Sequence, residues 1–484
     1  MTHEREPVIV VGYGMAGARL ASELHARDRT LPIIAIGAER HRAYNRILLS
    51  GVLAGKLNEA EVSLAEPTGR GLDLRLGVEV TGIDRRNRTV STSDGATLPY
   101  GHLVLATGGR AMVPPIDGLS EPLPERVAVF RTLDDCRRIL ATADKSASAI
   151  VLGGGLLGLE AARGLASRGL SVQVVHAVGH LMERQLDAAA SAVLVRTLGA
   201  LGVTVHLAAA TARVEPGPED VCVILADGTR LTADLFVVAC GTRPDVAVAR
   251  AAGLSVERGI VVDDRLRTND RHISAIGDCA QHAGAVGGLV APAWEQARVV
   301  ADVVTGLAPL TRYRPTPPVT RLKASGIDLA AMGASTDANA GPDGEVLTFA
   351  DPAGGTYAKL LVRDNKLAGA IMLGDNPAVG TVIQLFDRGA PVPADRRALL
   401  LGRALGIAAA PVAESPARMP DAATVCQCNT VTKGALLAAW RAGAHSVPEV
   451  VAATRATTGC GSCQDAVCGL VDWLSTVDSV EVAR

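Results

Sequence analysis

Short apolar runs alternate along the chain with glycine-rich turns and Ala/Leu-rich stretches. The run 8–11, Val-Ile-Val-Val, reads as a strand. Gly12, Gly14 and Gly17 follow in G-x-G-x-x-G spacing and open a stretch that reads as helix, beginning Met15-Ala16. The run 31–36 reads as the second strand of a β-α-β unit. The run from Leu103 ends in Ala106-Thr107-Gly108, and the run 273–276 ends in Gly277-Asp278. Between them the pattern repeats. Residues 149–152 lead into Gly153, Gly155 and Gly158, with Leu156 and Leu157 opening the next helix, and 170–176 reads as the following strand. Apolar runs at 359–362 and 367–373 alternate with turns, and 431–441 and 448–456 read as helices. The alternation predicts an α/β chain with two Rossmann-like dinucleotide-binding domains.

Each glycine has a physical task. The first allows a tight turn off the strand, the second lets backbone approach a pyrophosphate, and the third lets the helix pack close to the sheet. The helix N-terminus then offers free N–H groups and the positive end of its dipole. One such triplet can be only a turn. Two of them, about 140 residues apart and each set between strand and helix, point to two nucleotide sites. Glu39 lies 22 residues beyond Gly17, close to the spacing of an acid that binds a ribose hydroxyl.

Composition removes several function classes. The chain has 484 residues, 48% apolar and 20% charged, with a net charge of −2. That length fits about three domains, and the charge gives no basis for binding nucleic acid. No apolar stretch is long enough to span a bilayer. The charged N-terminus is not expected to be a signal peptide, so the expected location is cytoplasmic.

Five of the nine cysteines fall late: Cys426, Cys428, Cys460, Cys463 and Cys468. Cys426-Gln-Cys428, 31 intervening residues and Cys460-Gly-Ser-Cys463 provide four thiolates in two close pairs. Such a set holds zinc or a 2Fe–2S cluster. The C-x-C first pair and the helical linking segment favour the cluster over a zinc ribbon. Cys468, expected on a helix, packs rather than ligates.

The ordered motifs resemble the two-dinucleotide flavoprotein reductases, in which a domain for NAD(P)H is inserted into a domain for FAD. Longer stretches narrow the likeness. Gly12-Tyr-Gly-Met-Ala-Gly-Ala-Arg, Ala43-Tyr-Asn-Arg-Ile-Leu-Leu-Ser, Val113-Pro-Pro-Ile-Asp-Gly, Gly154-Gly-Leu-Leu-Gly-Leu-Glu-Ala, His180-Leu-Met-Glu-Arg-Gln-Leu-Asp and Thr320-Arg-Leu-Lys-Ala-Ser-Gly-Ile-Asp resemble the flavin half of assimilatory nitrite reductases and their nitrate reductase electron-transfer counterparts. The cysteine quartet resembles the bacterioferritin-associated-ferredoxin type of 2Fe–2S domain.

The resemblance implies FAD on Gly12, Gly14, Met15, Ala16, Gly17, Glu39, Arg46, Ala106, Thr107, Gly108, Gly277, Asp278 and Trp294. It implies NAD(P)H on Gly153, Gly155, Leu156, Leu157, Gly158, His176 and Gly241. Glu160 would orient the nicotinamide, or serve as a first-turn acid complementing the helix dipole. Its domains would be 1–118 with 242–310 for FAD, 119–241 for NAD(P)H, 311–406 as a small α/β interface domain of a possible homodimer, a proline-containing linker at 407–423, and 424–475 for the cluster. Three departures matter. Gly37 is followed by Ala38 and then Glu39, where family members often carry two acids. Gly51 stands where ferredoxin- and rubredoxin-reductase relatives have a lysine. His176 stands where many NAD sites have an acid, which leaves NADH and NADPH open, with a lean to NADH because no arginine follows immediately.

No cysteine occurs in the first 130 residues, which argues against a dithiol mechanism. The C-x₅-C and C-x₃-C motifs of a sirohaem domain are also missing. The expectation is therefore an NAD(P)H-oxidising electron-transfer protein that delivers electrons, through FAD and the cluster, to a separate redox protein: a molybdenum nitrate reductase or, second, a nitrite reductase. Other readings are a ferredoxin-type reductase, the flavin subunit of an amine- or opine-oxidising complex, or a flavin-containing redox sensor stapled by zinc.

Overall fold

The computed structural model describes residues 5–64, 71–322, 324–333, 344–376, 378–401, 419–426, 431–457 and 463–482. It divides into two compact units. The first comprises Met1–Arg46, Asn58–Met112 and Thr242–Thr316; the second comprises Ile47–Leu57, Val113–Gly241 and Pro317–Arg484.

The core of the first unit is a five-stranded sheet ordered Ile273–Ala275, His102–Leu105, Val8–Val11, Ile33–Gly37 and Leu72–Leu76. Every pairing is parallel. Strands covered on both faces need apolar residues at successive positions rather than alternate ones, and all four residues of Val8–Val11 are buried. The second strand starts at Ile33, two residues later than the apolar run, because Pro32 has no N–H to give the ladder. A three-stranded antiparallel sheet, Val80–Asp84, Thr89–Thr92 and Thr97–Pro99, is formed by the sequence between core strands Leu72–Leu76 and His102–Leu105.

The second unit repeats the plan. Its parallel sheet runs Val203–His206, Ser171–Val175, Ser148–Leu152, Leu235–Val238 and Val127–Val129. The chain is thus α/β with two Rossmann-like domains. Further along, an antiparallel sheet is built from Val319–Leu322, Leu329–Gly333, Lys366–Leu373, Thr356–Arg363 and Glu345–Asp351. Helix Val379–Arg388 packs its apolar face on this sheet.

The last segment differs in detail from the expected two helices. Val431–Thr432 is a short strand paired with Thr424–Cys426, so Cys426, the first of the quartet, sits on a small ribbon. Helix Lys433–Arg441 begins only after Thr432, whose hydroxyl accepts the Ala435 N–H and caps it. Ser446 caps Val447–Thr454 in the same way, and helix Gln464–Val482 follows. Residues 407–418 of the expected linker, Cys428 and Cys460 lie outside the described residues. Among the described residues, no helix is long and apolar enough to cross a membrane.

Candidate functional site

The first glycine loop is fixed by close backbone approach. Gly12 has φ +98°, and a Cβ there would collide with the carbonyl oxygen of Ala106. A Cβ on Gly17 would collide with the carbonyl oxygen of Gly12. Helix Met15–Arg27 starts at Gly14 with no side-chain cap and no acid in its first turn. Its first N–H groups are therefore available to an anion. The nearest atoms to a Cβ on Gly14 would be the guanidinium of Arg46, at 3.6 and 3.8 Å.

Glu39 and Arg46 meet at this loop. The Arg46 guanidinium donates to the Glu39 carboxylate, and the Tyr44 hydroxyl donates to its other oxygen at 2.7 Å. Arg46 also lies 4.9 Å over the Tyr44 ring. Burial works against the Arg46 charge, but Tyr44, Glu39 and Asp278 outweigh it and raise its pKa.

The late Gly277-Asp278 turn joins the same loop. Gly277 has φ +75°, and a Cβ there would lie 3.1 Å from the Cβ of Ala16. The Gly277 N–H donates to Gln296 Oε1 at 2.7 Å. The buried Trp294 indole donates to the Met15 carbonyl at 3.0 Å. Sequence reading missed Gln296. Its signal is a glutamine inside the Ala/Val-rich helix Val290–Thr305, where a buried amide needs a partner. Thr107 is tied elsewhere: its hydroxyl donates to the Asp245 carbonyl at 2.6 Å, and Gly108 accepts the Asp245 N–H at 2.9 Å. Two arrested glycines, an uncapped helix and a nearby half-buried cation fit the pyrophosphate of FAD, on the first unit's own residues.

The second loop repeats the backbone device. Gly153, at φ +121°, approaches the carbonyl of Ala239, and a Cβ on Gly158 would collide with the Gly153 oxygen. Helix Leu156–Ser167, opened by Leu156 and Leu157, begins at Gly155 without a side-chain cap. A Cβ on Gly155 would meet nothing within 4 Å, and the same holds for Gly241, at φ +95°. This open, uncapped end fits a second pyrophosphate, that of a nicotinamide nucleotide. Beside it, burial pushes the Cys240 thiol up to about 11.

His176 is turned inward. Its Nδ1 accepts the Gly154 N–H at 3.1 Å, and its Nε2 lies 3.1 Å from the His180 carbonyl. Glu160 is buried. It is not a first-turn acid: the helix starts at Leu156, so Glu160 falls one turn later, away from the uncapped N–H groups.

Of the quartet, Cys426 and Cys463 are described, and both are buried. Cys426 ends the small ribbon and Cys463 immediately precedes helix Gln464–Val482. Two buried thiols, one ending a short strand and one just before a helix, suit ligands of a sulfur-bound cluster, which binds thiolate and is shielded by burial. Cys468 lies within that helix, half-buried.

Comparison with known proteins agrees with this geometry. The pyridine nucleotide-disulphide oxidoreductase family matches residues 6–299, the rubredoxin NAD⁺ reductase C-terminal domain matches 318–388, and the BFD-like [2Fe-2S] binding domain matches 424–473. The assimilatory nitrate reductase electron transfer subunit of Bacillus subtilis is 34% identical over 99% of this chain and 61% of its own length. A nitrite reductase [NAD(P)H] of the same organism is 35% identical over 96% of this chain and 57% of its own length. The chain thus spans about three-fifths of these two relatives. Among solved structures, the covalent putidaredoxin reductase–putidaredoxin complex aligns with TM-score 0.72 at 27% identity, covering 81% of this chain and 95% of that one. FAD, NAD(P)H and a 2Fe–2S cluster are the cofactors of this combination. With 6–299 matched, the chain belongs to the pyridine nucleotide-disulphide oxidoreductase family, as an NAD(P)H-dependent oxidoreductase with a 2Fe–2S-binding domain.

Proposed function

We propose that this chain is the NAD(P)H-oxidising electron-transfer subunit of an assimilatory nitrate reductase, delivering electrons to a separate molybdenum-containing subunit. The observation that favours this reading over a rubredoxin- or ferredoxin-type reductase is extent. The likeness to the nitrate reductase electron transfer subunit runs over 99% of the chain, cysteine region included. The likeness to a rubredoxin-NAD(+) reductase of Alcanivorax borkumensis covers 65%.

In this reading, residues 1–118 and 242–310 hold FAD. Arg46 and the N–H groups after Gly14 face its pyrophosphate, and Glu39 and Asp278 face its sugar hydroxyls. Residues 119–241 hold NAD(P)H on the Gly153–Gly158 loop, with Glu160 near the nicotinamide. Residues 311–406 form the interface domain, and Cys426, Cys428, Cys460 and Cys463 hold the cluster. When bound, flavin takes electrons in pairs and releases them singly, the exchange needed between a nicotinamide and an iron–sulfur centre. The chain's residues contribute binding and exclusion of water; no side chain need act as nucleophile. The first cysteine, Cys136, is fully buried with its thiol on the Leu49 carbonyl, so no dithiol takes part from that position.

The test uses the full chain with FAD and cluster, mixed with NADH and a purified molybdenum nitrate reductase. Nitrate reduction is expected, and it should vanish in Cys463→Ser while NADH still bleaches the flavin band. Nitrate reduction unaffected by Cys463→Ser, or no transfer to the nitrate reductase from the fully loaded chain, would sink the reading.

A further inference from the structure

We propose that Glu183 is the specificity-determining residue that selects NADH over NADPH. The inference rests on reading the Gly153–Gly158 loop as the nicotinamide-nucleotide site. In β-α-β nucleotide folds, the residue ending the second strand faces the adenosine ribose. An acid there accepts a hydrogen bond from the 2′-hydroxyl, whereas NADP sites accommodate the 2′-phosphate with an arginine. In this chain that residue is His176, directly after strand Ser171–Val175.

His176 cannot do the reading itself. Its side chain is only 10% exposed, and both ring nitrogens are engaged. Nδ1 accepts the Gly154 N–H at 3.1 Å. That acceptance puts the imidazole proton on Nε2, which faces the His180 carbonyl at 3.1 Å and Glu183 Oε2 at 3.3 Å. The ring is also wedged beneath the loop: a Cβ on Gly154 would lie 2.8 Å from His176 Cγ. The imidazole therefore fills the usual position of the acid and holds another acid beside it.

That acid is 40% exposed, so its carboxylate presents negative charge to solvent beside His176. It can accept from a ribose hydroxyl, and it opposes a phosphate on the same carbon. The function normally ending the strand has moved seven residues on, to the turn before the helix capped by Asp187. Arg184, exposed beside it, is a local group that favours the opposite choice. His176 is a positioning residue in this arrangement.

The experiment measures binding of NAD⁺ and NADP⁺ to the FAD-loaded full chain by calorimetry, so that no turnover is involved, together with KM for NADH and NADPH in dye reduction. The wild-type chain should bind NAD⁺ at least about tenfold more tightly than NADP⁺. Glu183→Gln should lower that ratio roughly tenfold and Glu183→Lys should reverse it, while Arg184→Ala leaves the preference for NAD⁺ in place. An unchanged FAD spectrum reports that each variant is folded. A ratio unmoved by Glu183→Gln overturns the inference, as does a wild-type preference for NADP⁺ that Arg184→Ala abolishes. Binding of neither nucleotide would instead overturn the reading of the loop itself.

Discussion

The two glycine loops share one backbone design but are surrounded differently. In each, the first glycine adopts positive φ against a carbonyl at the end of a neighbouring strand, Ala106 or Ala239, and the third presses on the first. The second glycines diverge. Gly14 faces the Arg46 guanidinium, and its surroundings are braced by Glu39, Tyr44, Gln296 and Trp294. Gly155 has nothing within 4 Å of a Cβ. A braced loop made from several separate segments suits a ligand that stays through many turnovers. An open one suits a ligand that must leave each time. The same motif can thus serve a resident flavin and an exchanging nicotinamide, and the difference lies in side chains outside the motif.

The largest expected effect tests the shared design against the unshared position. Gly17→Ala places a methyl into the Gly12 carbonyl, which backbone must move to relieve. The cost should be about 4 kcal/mol or more, and the protein should purify without its yellow flavin band. Gly155→Ala meets no protein atom and occupies a φ of −84° that alanine adopts freely. Its melting temperature should be unchanged while NADH binding weakens about tenfold, since only the ligand loses space. If Gly155→Ala lowered stability as Gly17→Ala does, the contrast between the loops would fail.

The second unit is braced away from its loop. Lys359, nearly inaccessible on strand Thr356–Arg363, donates to Asp187 at 2.7 Å, and the Tyr357 hydroxyl donates to the same oxygen at 2.8 Å. Asp187 also caps helix Ala188–Ala200 through the Ala190 N–H. Burial pushes the Asp187 carboxyl up, but these hydrogen bonds outweigh it and the net pKa is lowered. A lowered carboxylate stabilises fully above its unfolded pKa and loses that contribution as pH falls through the folded one. Lys359→Met leaves a half-buried carboxylate without its cation and should cost about 2 kcal/mol at neutral pH. The gap from wild type should narrow as pH falls below the ordinary aspartate range, where the carboxyl protonates. Denaturant titrations across pH measure this; a gap that widened in acid would refute the assignment.

Much of this was legible in the chain. The apolar runs at 8–11 and 149–152 became parallel strands because continuous burial leaves a continuous apolar signature. The first and third glycines of each triplet were legible because no other residue fits those approaches. What was not legible has long-range causes. Gln296 reaches Gly277 across 19 residues, and the Trp294 bond to Met15 spans 279. The inward turn of His176 depends on a backbone N–H, to which sequence is blind. Val431 joined a ribbon because Cys426 was in register with it, a pairing that local helix preference overlooked.

The smallest expected effect bears most directly on the bracing. Trp294 is buried, its indole N–H donates to the Met15 carbonyl at 3.0 Å, and the Arg19 guanidinium lies 5.3 Å from its ring centre. Met15 opens the first loop's helix, so this bond holds the helix start from outside the glycine motif. Trp294→Phe keeps an aromatic ring but removes the donor, leaving the carbonyl one partner short. The net cost of one such bond is about 1 kcal/mol. If the bracing retains FAD, the loss should appear as faster flavin release, a few-fold by fluorescence recovery on dilution, with NADH affinity unchanged. Equal weakening of both ligands would mean that Trp294 supports the whole fold and not the first loop, and the distinction between a braced and an open loop would lose its strongest support.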